Sequence, residues 1–147
     1  MSNNLNSPKD ILRQKGEIVG VTNGNSMWPL FRSGKDKAVI VPQNADFKVN
    51  DVLLYCNPHT KEFILHRIIK IDEDGLIIRG DNLYFNETNV KKDDIIGVLK
   101  GFYRGGKYFD CKKSLTYKLY VILIRAIFPI RFFIYRVINK LKKLLGI

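Results

Sequence analysis

Ser26 is the one residue of a Gly-Asn-Ser-Met-Trp-Pro run whose side chain can do nucleophilic chemistry. A serine hydroxyl attacks a carbonyl carbon only after a neighbouring base has taken its proton. His66 lies 40 residues downstream of Ser26, and Asp81 follows 15 residues after the histidine in a Gly-Asp-Asn run. Serine, histidine and aspartate can act as nucleophile, base and orienting acid where the fold brings them together.

A predicted β-hairpin brings the histidine and the aspartate together. Two segments rich in isoleucine and leucine, residues 62–71 and 76–79, flank an Asp-Glu-Asp-Gly loop. With a four-residue loop, His66 faces Asp81 and their Cβ atoms lie about 5 Å apart; with a two-residue turn at Asp74 they are diagonal neighbours at roughly 7 Å. Both even-length loops keep the two side chains on one face, whereas an odd loop or a bulge does not.

Each of these residues also has a purely structural interpretation. His66 shares its strand face with Ile64 and Ile68, so it could be a packed core histidine. Asp81 could belong to a turn that ends the hairpin. The combination with Ser26 favours a catalytic interpretation.

The elements around these residues predict a mainly β domain of short antiparallel strands. Further strands are predicted over residues 17–21, 38–41, 51–55 and 94–103, with an Arg-Gly-Gly-Lys turn at residues 104–107. We divide the chain into a polar N-terminal lead-in (1–15), a β-rich domain (16–110) that contains the candidate residues, and a basic, hydrophobic helical segment (111–147). Helix is expected only in the last of these.

The chain resembles the signal peptidase I superfamily of serine peptidases over about residues 16–98, which implies a signal-peptidase/LexA-like β fold. The motifs that carry the resemblance are Ser26-Met27-Trp28-Pro29, the strand opening at Asn50-Asp51, His66-Arg67, Gly80-Asp81-Asn82 and Ile95-Ile96-Gly97-Val98. Histidine before arginine is similar to the endoplasmic reticulum and archaeal type, which pairs serine with histidine rather than lysine.

The resemblance implies roles for individual residues. Ser26 is the nucleophile, His66 the general base and Asp81 the orienting acid. Glu87 is a second acidic candidate, because members often carry another acid just after the Gly-Asp-Asn run, and Lys70 is the alternative base. The implied activity is that of a serine endopeptidase that cleaves a signal or leader segment of a polypeptide, with no cofactor and no metal.

The oxyanion donors are less completely represented in the sequence. Many relatives place a hydroxyl residue two positions before the nucleophile, where this chain has Gly24. The backbone N–H of Ser26 and the Asn25 amide are the remaining candidates. Loss of one such donor can lower the rate about a hundredfold or more.

The positive charge of the chain is concentrated at its C-terminal end. Residues 1–110 hold 16 Lys+Arg against 14 Asp+Glu, whereas residues 111–147 hold nine basic residues and no acidic one. At 100° per residue, five basic side chains fall in a narrow arc opposite apolar ones. These five are Lys118, Arg125, Arg136, Lys140 and Lys143.

Residues 115–147 therefore predict peripheral association with a membrane surface. No uncharged apolar run approaches the roughly 20 residues of a spanning helix, and Pro129 interrupts the middle. One interfacial helix, or two broken at Pro129, is favoured over a span. The alternatives are a segment that packs on its own domain or on another copy. Nucleic acid is excluded as a partner, because a phosphate-binding arm does not need so much aliphatic surface.

Other functions remain open at this stage. The same scaffold could be a catalytically silent module that binds peptides by strand addition. Because residues 1–15 contain no apolar export signal, the substrate could instead be a ribosomally made peptide precursor in the cytoplasm. A self-cleaving regulator would need a DNA-binding domain, for which residues 1–15 are too short. Cys56 and Cys111 are expected to be reduced thiols.

Overall fold

The computed structural model describes residues 7–44 and 46–147. The chain forms two compact units, one that ends at Ser114 and one that runs from Leu115 to Ile147. The first contains an antiparallel sheet of seven strands and the second is a helix, which confirms the expectation of a mainly β domain followed by a helix. Residues 1–6 of the predicted lead-in lie outside the described residues.

Residues 7–44 and 46–147 contain two α-helices, a short 3-10 helix and seven strands. In order they are α1 (Pro8–Lys15), β1 (Ile18–Val21), β2 (Lys37–Val41), β3 (Val52–Cys56), β4 (Phe63–Asp72), β5 (Gly75–Arg79), the 3-10 helix (Lys92–Asp94), β6 (Ile95–Arg104), β7 (Lys107–Asp110) and α2 (Leu115–Leu145).

α1 corrects the prediction of a polar lead-in without helix. The Ser7 hydroxyl accepts a hydrogen bond from the Asp10 N–H, and the Asp10 carboxylate accepts one from the Ser7 N–H. This reciprocal arrangement is a capping box. Gly16 ends the helix at φ 77°, a left-handed conformation that glycine adopts readily. Both signals are local in the sequence, so α1 could have been predicted.

β6 is the central strand of the sheet. The strand order is β1-β2-β6-β3-β4-β5, and β7 also pairs with β6. One edge of β6 pairs with β2, while the other edge pairs with β3 in its first half and with β7 in its second. Gly105 and Gly106, at φ 56° and 78°, form the predicted two-residue turn between β6 and β7. Apolar side chains of β3, β4, β5 and β6 form a continuous buried cluster.

The hairpin of β4 and β5 has the predicted register only near its turn. There Asp72 pairs with Gly75, so that the turn itself has two residues. A bulge at Ile69 then shifts the pairing by one residue, and Arg67 pairs with Arg79. Because side chains alternate between faces, a shift of one residue exchanges the faces of everything beyond it.

The predicted pairing of His66 with Asp81 is therefore wrong. Both loops considered from the sequence keep these two side chains on one face, but the bulge lies between them and the turn. His66 and Arg67, as consecutive residues of β4, point to opposite faces of the sheet. Asp81 meets the arginine instead, as described below.

Backbone hydrogen bonds and a buried charged cluster hold the base of the loop between β1 and β2, which carries the candidate nucleophile. The Thr22 N–H donates to the Asp36 carbonyl at 3.0 Å and the Gly34 N–H donates to the Thr22 carbonyl at 2.8 Å. The fully buried Asp36 carboxylate accepts hydrogen bonds from Arg32 and Arg104. Burial alone would raise the pKa of Asp36, but these hydrogen bonds lower it to about 2.

α2 is one continuous helix of 31 residues that passes through Pro129. The chain therefore does not form two helices broken at this proline. Within residues 7–44 and 46–147, no helix combines the length and the apolarity required to cross a bilayer.

Candidate active site

His66 lies on β4 with its side chain enclosed and its Nδ1 atom bound to a carboxylate. It is 3% exposed, and its Nδ1 is 2.8 Å from Oε1 of Glu87. The Tyr55 hydroxyl is 3.1 Å from the same nitrogen and donates to Oε2 of Glu87 at 2.7 Å. Histidine, glutamate and tyrosine thus form one compact hydrogen-bonded group.

Backbone pairing places these three side chains together. β3 pairs with β4 so that Leu53 faces His66 and Tyr55 faces Ile64, which puts the tyrosine and the histidine on the same face as diagonal neighbours. The chain after β5 turns back, and Glu87 exchanges two backbone hydrogen bonds of 2.9 and 2.8 Å with Ile78. That short bridge fixes the direction of the glutamate side chain.

The environment of His66 favours the neutral imidazole with its proton on Nδ1. Burial lowers the pKa of His66 below its usual 6.5, against the raising influence of Glu87 and, more weakly, of Asp81. Since a carboxylate oxygen only accepts hydrogen bonds, Nδ1 must be the donor and Nε2 then carries the lone pair. Burial, followed by the hydrogen bond and charge of Glu87, raises the pKa of Tyr55 well above 10, so the tyrosine remains a donor.

Nε2 of His66 is buried and has no hydrogen-bond partner within the described part of the chain. An unsatisfied buried polar atom costs about 1–3 kcal/mol, and native proteins tolerate few of them. A neutral imidazole held by Nδ1, with an unpartnered acceptor at Nε2, is the arrangement that a general base requires.

Gly80 allows the serine backbone to approach this nitrogen. A Cβ atom on Gly80 would stand 2.6 Å from the Ser26 carbonyl oxygen and 3.0 Å from Nε2 of His66. Contacts this short require atoms to shift, and the first is with backbone. The glycine of the Gly-Asp-Asn run therefore leaves space that a Cβ atom would fill between the Ser26 backbone and the His66 ring.

The same run also anchors the segment that contains Ser26. The Asn82 N–H donates to the Ser26 carbonyl at 2.8 Å, and the Asn82 side chain donates to the Asn25 carbonyl at 3.1 Å. Neither the hydroxyl nor the N–H of the half-buried Ser26 makes a hydrogen bond to any described residue. The N–H can therefore serve as an oxyanion donor, and the hydroxyl has no competing partner.

Asp81 is bound by arginine and not by histidine, which corrects the orienting role predicted for it. Its two oxygens accept from Nε and a terminal nitrogen of Arg67 at 2.8 and 2.7 Å, and the arginine also donates to the Asn50 carbonyl at 2.9 Å. The carboxylate in contact with His66 is Glu87, the second acidic candidate from the sequence. The bulge at Ile69 accounts for the exchange.

Two further sequence candidates also have defined positions. Lys70, the alternative base, is 63% exposed and pairs with Asp72 at 3.1 Å, so it does not reach Ser26. Asn25 is exposed, and its carbonyl is used by Asn82 and by the Trp28 N–H. Sequence reasoning missed Tyr55, which became recognisable only once the pairing of β3 with β4 was known.

A groove of about 1120 Å³ runs past these residues. Ser26, His66 and Glu87 all line it, together with apolar side chains of β1, β2, β3 and β4. β1 borders the groove and pairs with β2 alone. Its second edge is unpaired among the described residues, and Val19 and Val21 are about half exposed.

Cys56 and Cys111 do not form a disulfide. The described residues contain no group of three or more His, Cys, Asp or Glu side chains arranged to hold a metal ion. Comparison of the chain with models of protein families, with curated proteins and with solved structures gave no significant match.

Proposed function

We propose that this protein is a serine endopeptidase of the signal peptidase I type that cleaves leader or signal segments of polypeptides. The observation that carries the proposal is the geometry of His66, whose Nδ1 is held by Glu87 and whose unpartnered Nε2 lies beside the Ser26 backbone. The resemblance of the sequence motifs supports the same assignment and a signal-peptidase-like fold.

In the proposed mechanism, Nε2 of His66 takes the proton from the Ser26 hydroxyl while the oxygen attacks the substrate carbonyl carbon. Glu87 stabilises the imidazolium that forms, since its oxygen lies 2.8 Å from Nδ1. The Ser26 N–H binds the developing oxyanion. The imidazolium then protonates the leaving amine, and water activated by the same base hydrolyses the acyl-enzyme.

A Ser26–His66 hydrogen bond must form for this reaction, and none is present in the described structure. Catalytic hydrogen bonds are often long in unliganded enzymes and tighten when substrate binds. The unpaired edge of β1 offers an extended peptide backbone hydrogen bonds along the groove. Strand addition would then place a substrate carbonyl next to Ser26.

The second candidate function is a catalytically silent peptide-binding module. The absent Ser26–His66 hydrogen bond favours it, and so does the lack of a side-chain oxyanion donor at Gly24. The groove and the free edge of β1 would serve either function, so only catalysis separates the two.

Incubation with a mixture of leader peptides, followed by mass spectrometry of new termini, tests the proposal. The mixture should contain both secretory signal peptides and leaders of ribosomally made peptides. Wild type and Ser114→Ala, a serine that does not line the groove, should cleave, and Ser26→Ala should not. Equal cleavage by Ser26→Ala would remove the nucleophile assignment, and peptide binding without cleavage by wild type would identify the silent module.

A further inference from the structure

The exposed side chains of α2 form a continuous apolar face. At 100° per residue, a sector of about 140° contains apolar side chains and no charged one. Among its members are Leu119, Leu123, Ile130, Phe133, Val137 and Leu141, which are all exposed, with Phe133 at 68%. The face runs along a helix about 46 Å long.

Basic side chains border this face on both of its sides. One border carries the five residues of the arc noted in the sequence, from Lys118 to Lys143, and the other carries Arg131 and Lys142. α2 contains no acidic residue. Five of the seven basic residues lie after Pro129, so positive charge is densest in the second half of the helix.

We infer that α2 binds flat on the surface of an anionic lipid bilayer, with its apolar face among the acyl chains and its basic borders on the lipid phosphates. Long basic side chains reach outward from an apolar face to a charged layer. Large exposed apolar patches mark interaction surfaces. The inference does not rest on the proposed peptidase activity, because it uses no residue of the groove.

Charge decides between a bilayer and a second copy of the chain as the occupant of this face. Two copies that joined their apolar faces would bring together basic borders of the same sign, on a chain of net charge +11, and like charges repel. An anionic bilayer supplies the opposite charge. Each basic residue near such a surface contributes about 1 kcal/mol, which corresponds to roughly fivefold in binding.

Flotation of the full-length protein with lipid vesicles tests the inference. One set of vesicles contains phosphatidylcholine alone, and the other equal parts of phosphatidylcholine and phosphatidylglycerol. Wild type should bind the anionic vesicles at least about tenfold more tightly, and added salt should weaken that binding. Equal binding to both sets, or none to either, would overturn the inference.

Matched variants separate the apolar face from the charge. Phe133→Glu places a carboxylate in the apolar sector, whereas Asn139→Glu makes the same change of charge on an exposed position outside it. Phe133→Glu should weaken binding at least about tenfold more than its control. Equal effects would overturn a role for the apolar face. Lys140→Gln with Lys143→Gln should weaken anionic binding roughly twentyfold, whereas Lys35→Gln with Lys37→Gln should not.

Two further measurements distinguish the other outcomes. Gel filtration without lipid should give a monomer; a dimer that Phe133→Glu dissociates, with no vesicle binding by wild type, would assign the face to a second copy and overturn the inference. Ser26→Ala should bind vesicles as wild type does. Vesicle binding therefore holds or fails independently of peptide cleavage.

Discussion

Near the middle of β4, a side chain on each face of the strand binds a carboxylate, but the two pairs differ in what they can do. His66 and Arg67 are consecutive residues that point to opposite sides of the sheet, and each meets an acid from the chain after β5. Arg67 binds Asp81, and His66 binds Glu87. These two neighbouring residues thus form two different kinds of pair. Arg67 and Asp81 form an ion pair that holds the backbone, whereas the pair of His66 and Glu87 can change its charge.

The geometry of the two pairs explains why their roles differ. The side chains of Arg67 and Asp81 are 1% and 2% exposed and share two parallel hydrogen bonds. A guanidinium does not release its proton in proteins, so Arg67 keeps its positive charge. Glu87 is 21% exposed, lines the groove, and faces an imidazole that can take up a proton. What each carboxylate can do therefore depends more on the side chain it binds than on how deeply it is buried.

Glu87→Gln is expected to give the largest loss of activity that leaves the fold intact. The amide can still accept from Tyr55, but it can also donate to Nδ1 and so favour the tautomer that blocks Nε2. We expect kcat/KM for peptide cleavage to fall about a thousandfold, with an unchanged free energy of unfolding to within about 1 kcal/mol.

Glu62→Gln is the matched control, because Glu62 lines the same groove and, among the described residues, its side chain forms neither a hydrogen bond nor an ion pair with His66. It should retain nearly full activity. If Glu87→Gln also retained nearly full activity, Glu87 would not be the residue that orients His66.

Asp81→Asn should lower the stability of the protein, whereas Glu87→Gln should lower the rate of peptide cleavage. It leaves the buried Arg67 guanidinium without a countercharge, and the loss of one partner of a buried pair costs about 3–5 kcal/mol. Urea denaturation measures the change. Asp93→Asn, at an exposed position, should cost less than about 0.5 kcal/mol. A stable Asp81→Asn protein that had lost its activity would reverse the assignment of the two acids.

The stability of the protein should depend on pH through the imidazole of His66 and not through the guanidinium of Arg67. Burial lowers the pKa of His66 below 6.5, so below about pH 6.5 the unfolded chain binds a proton that the folded chain does not. The free energy of unfolding should therefore fall as pH falls through this window, by at most about 1.4 kcal/mol per pH unit. The acidic limb of kcat/KM should also lie below pH 6.5.

His66→Gln should reduce that slope, and His59→Gln, at an exposed position, is the control. These are the two histidines of the chain, so the pair of variants is complete. Equal slopes in wild type and His66→Gln would show that the pKa of His66 does not differ between the folded and unfolded states.

Tyr55→Phe should have the smallest effect of the series. It removes the hydroxyl that donates to Glu87 at 2.7 Å while the glutamate keeps its contact with His66. We expect kcat to fall about tenfold with KM little changed, since one hydrogen bond of this kind contributes about 1–1.5 kcal/mol. Tyr103→Phe, on β6, is the control. A Tyr55→Phe enzyme of full activity would mean that the bridge at Ile78 positions Glu87 without help.

The sequence predicted the elements better than it predicted the contacts between them. Hydrophobic alternation and turn residues located the strands to within one or two positions, because these are local properties. α1 was missed although its capping box and terminal glycine are equally local. The coarse division into a β domain and a basic helix followed from the pattern of strands and turns and from the uneven distribution of charge along the chain.

The identity of the acid at His66 depended on a feature with no local signal. The bulge at Ile69 lies inside a run of isoleucines that reads as a regular strand, and the neighbouring sheet decides where such a residue is accommodated. The role of Tyr55 depends on which strand lies beside β4, and that is likewise a property of the whole fold.

Reaction of the purified protein with a serine-reactive acylating probe, followed by intact mass measurement, tests the central claim most directly. A neutral His66 held by Glu87 should activate the Ser26 hydroxyl, so wild type should gain a single adduct. Ser26→Ala should gain none and Glu87→Gln should react far more slowly. An adduct of equal yield on Ser26→Ala, or no adduct on wild type in the presence of anionic vesicles and peptide, would contradict the account.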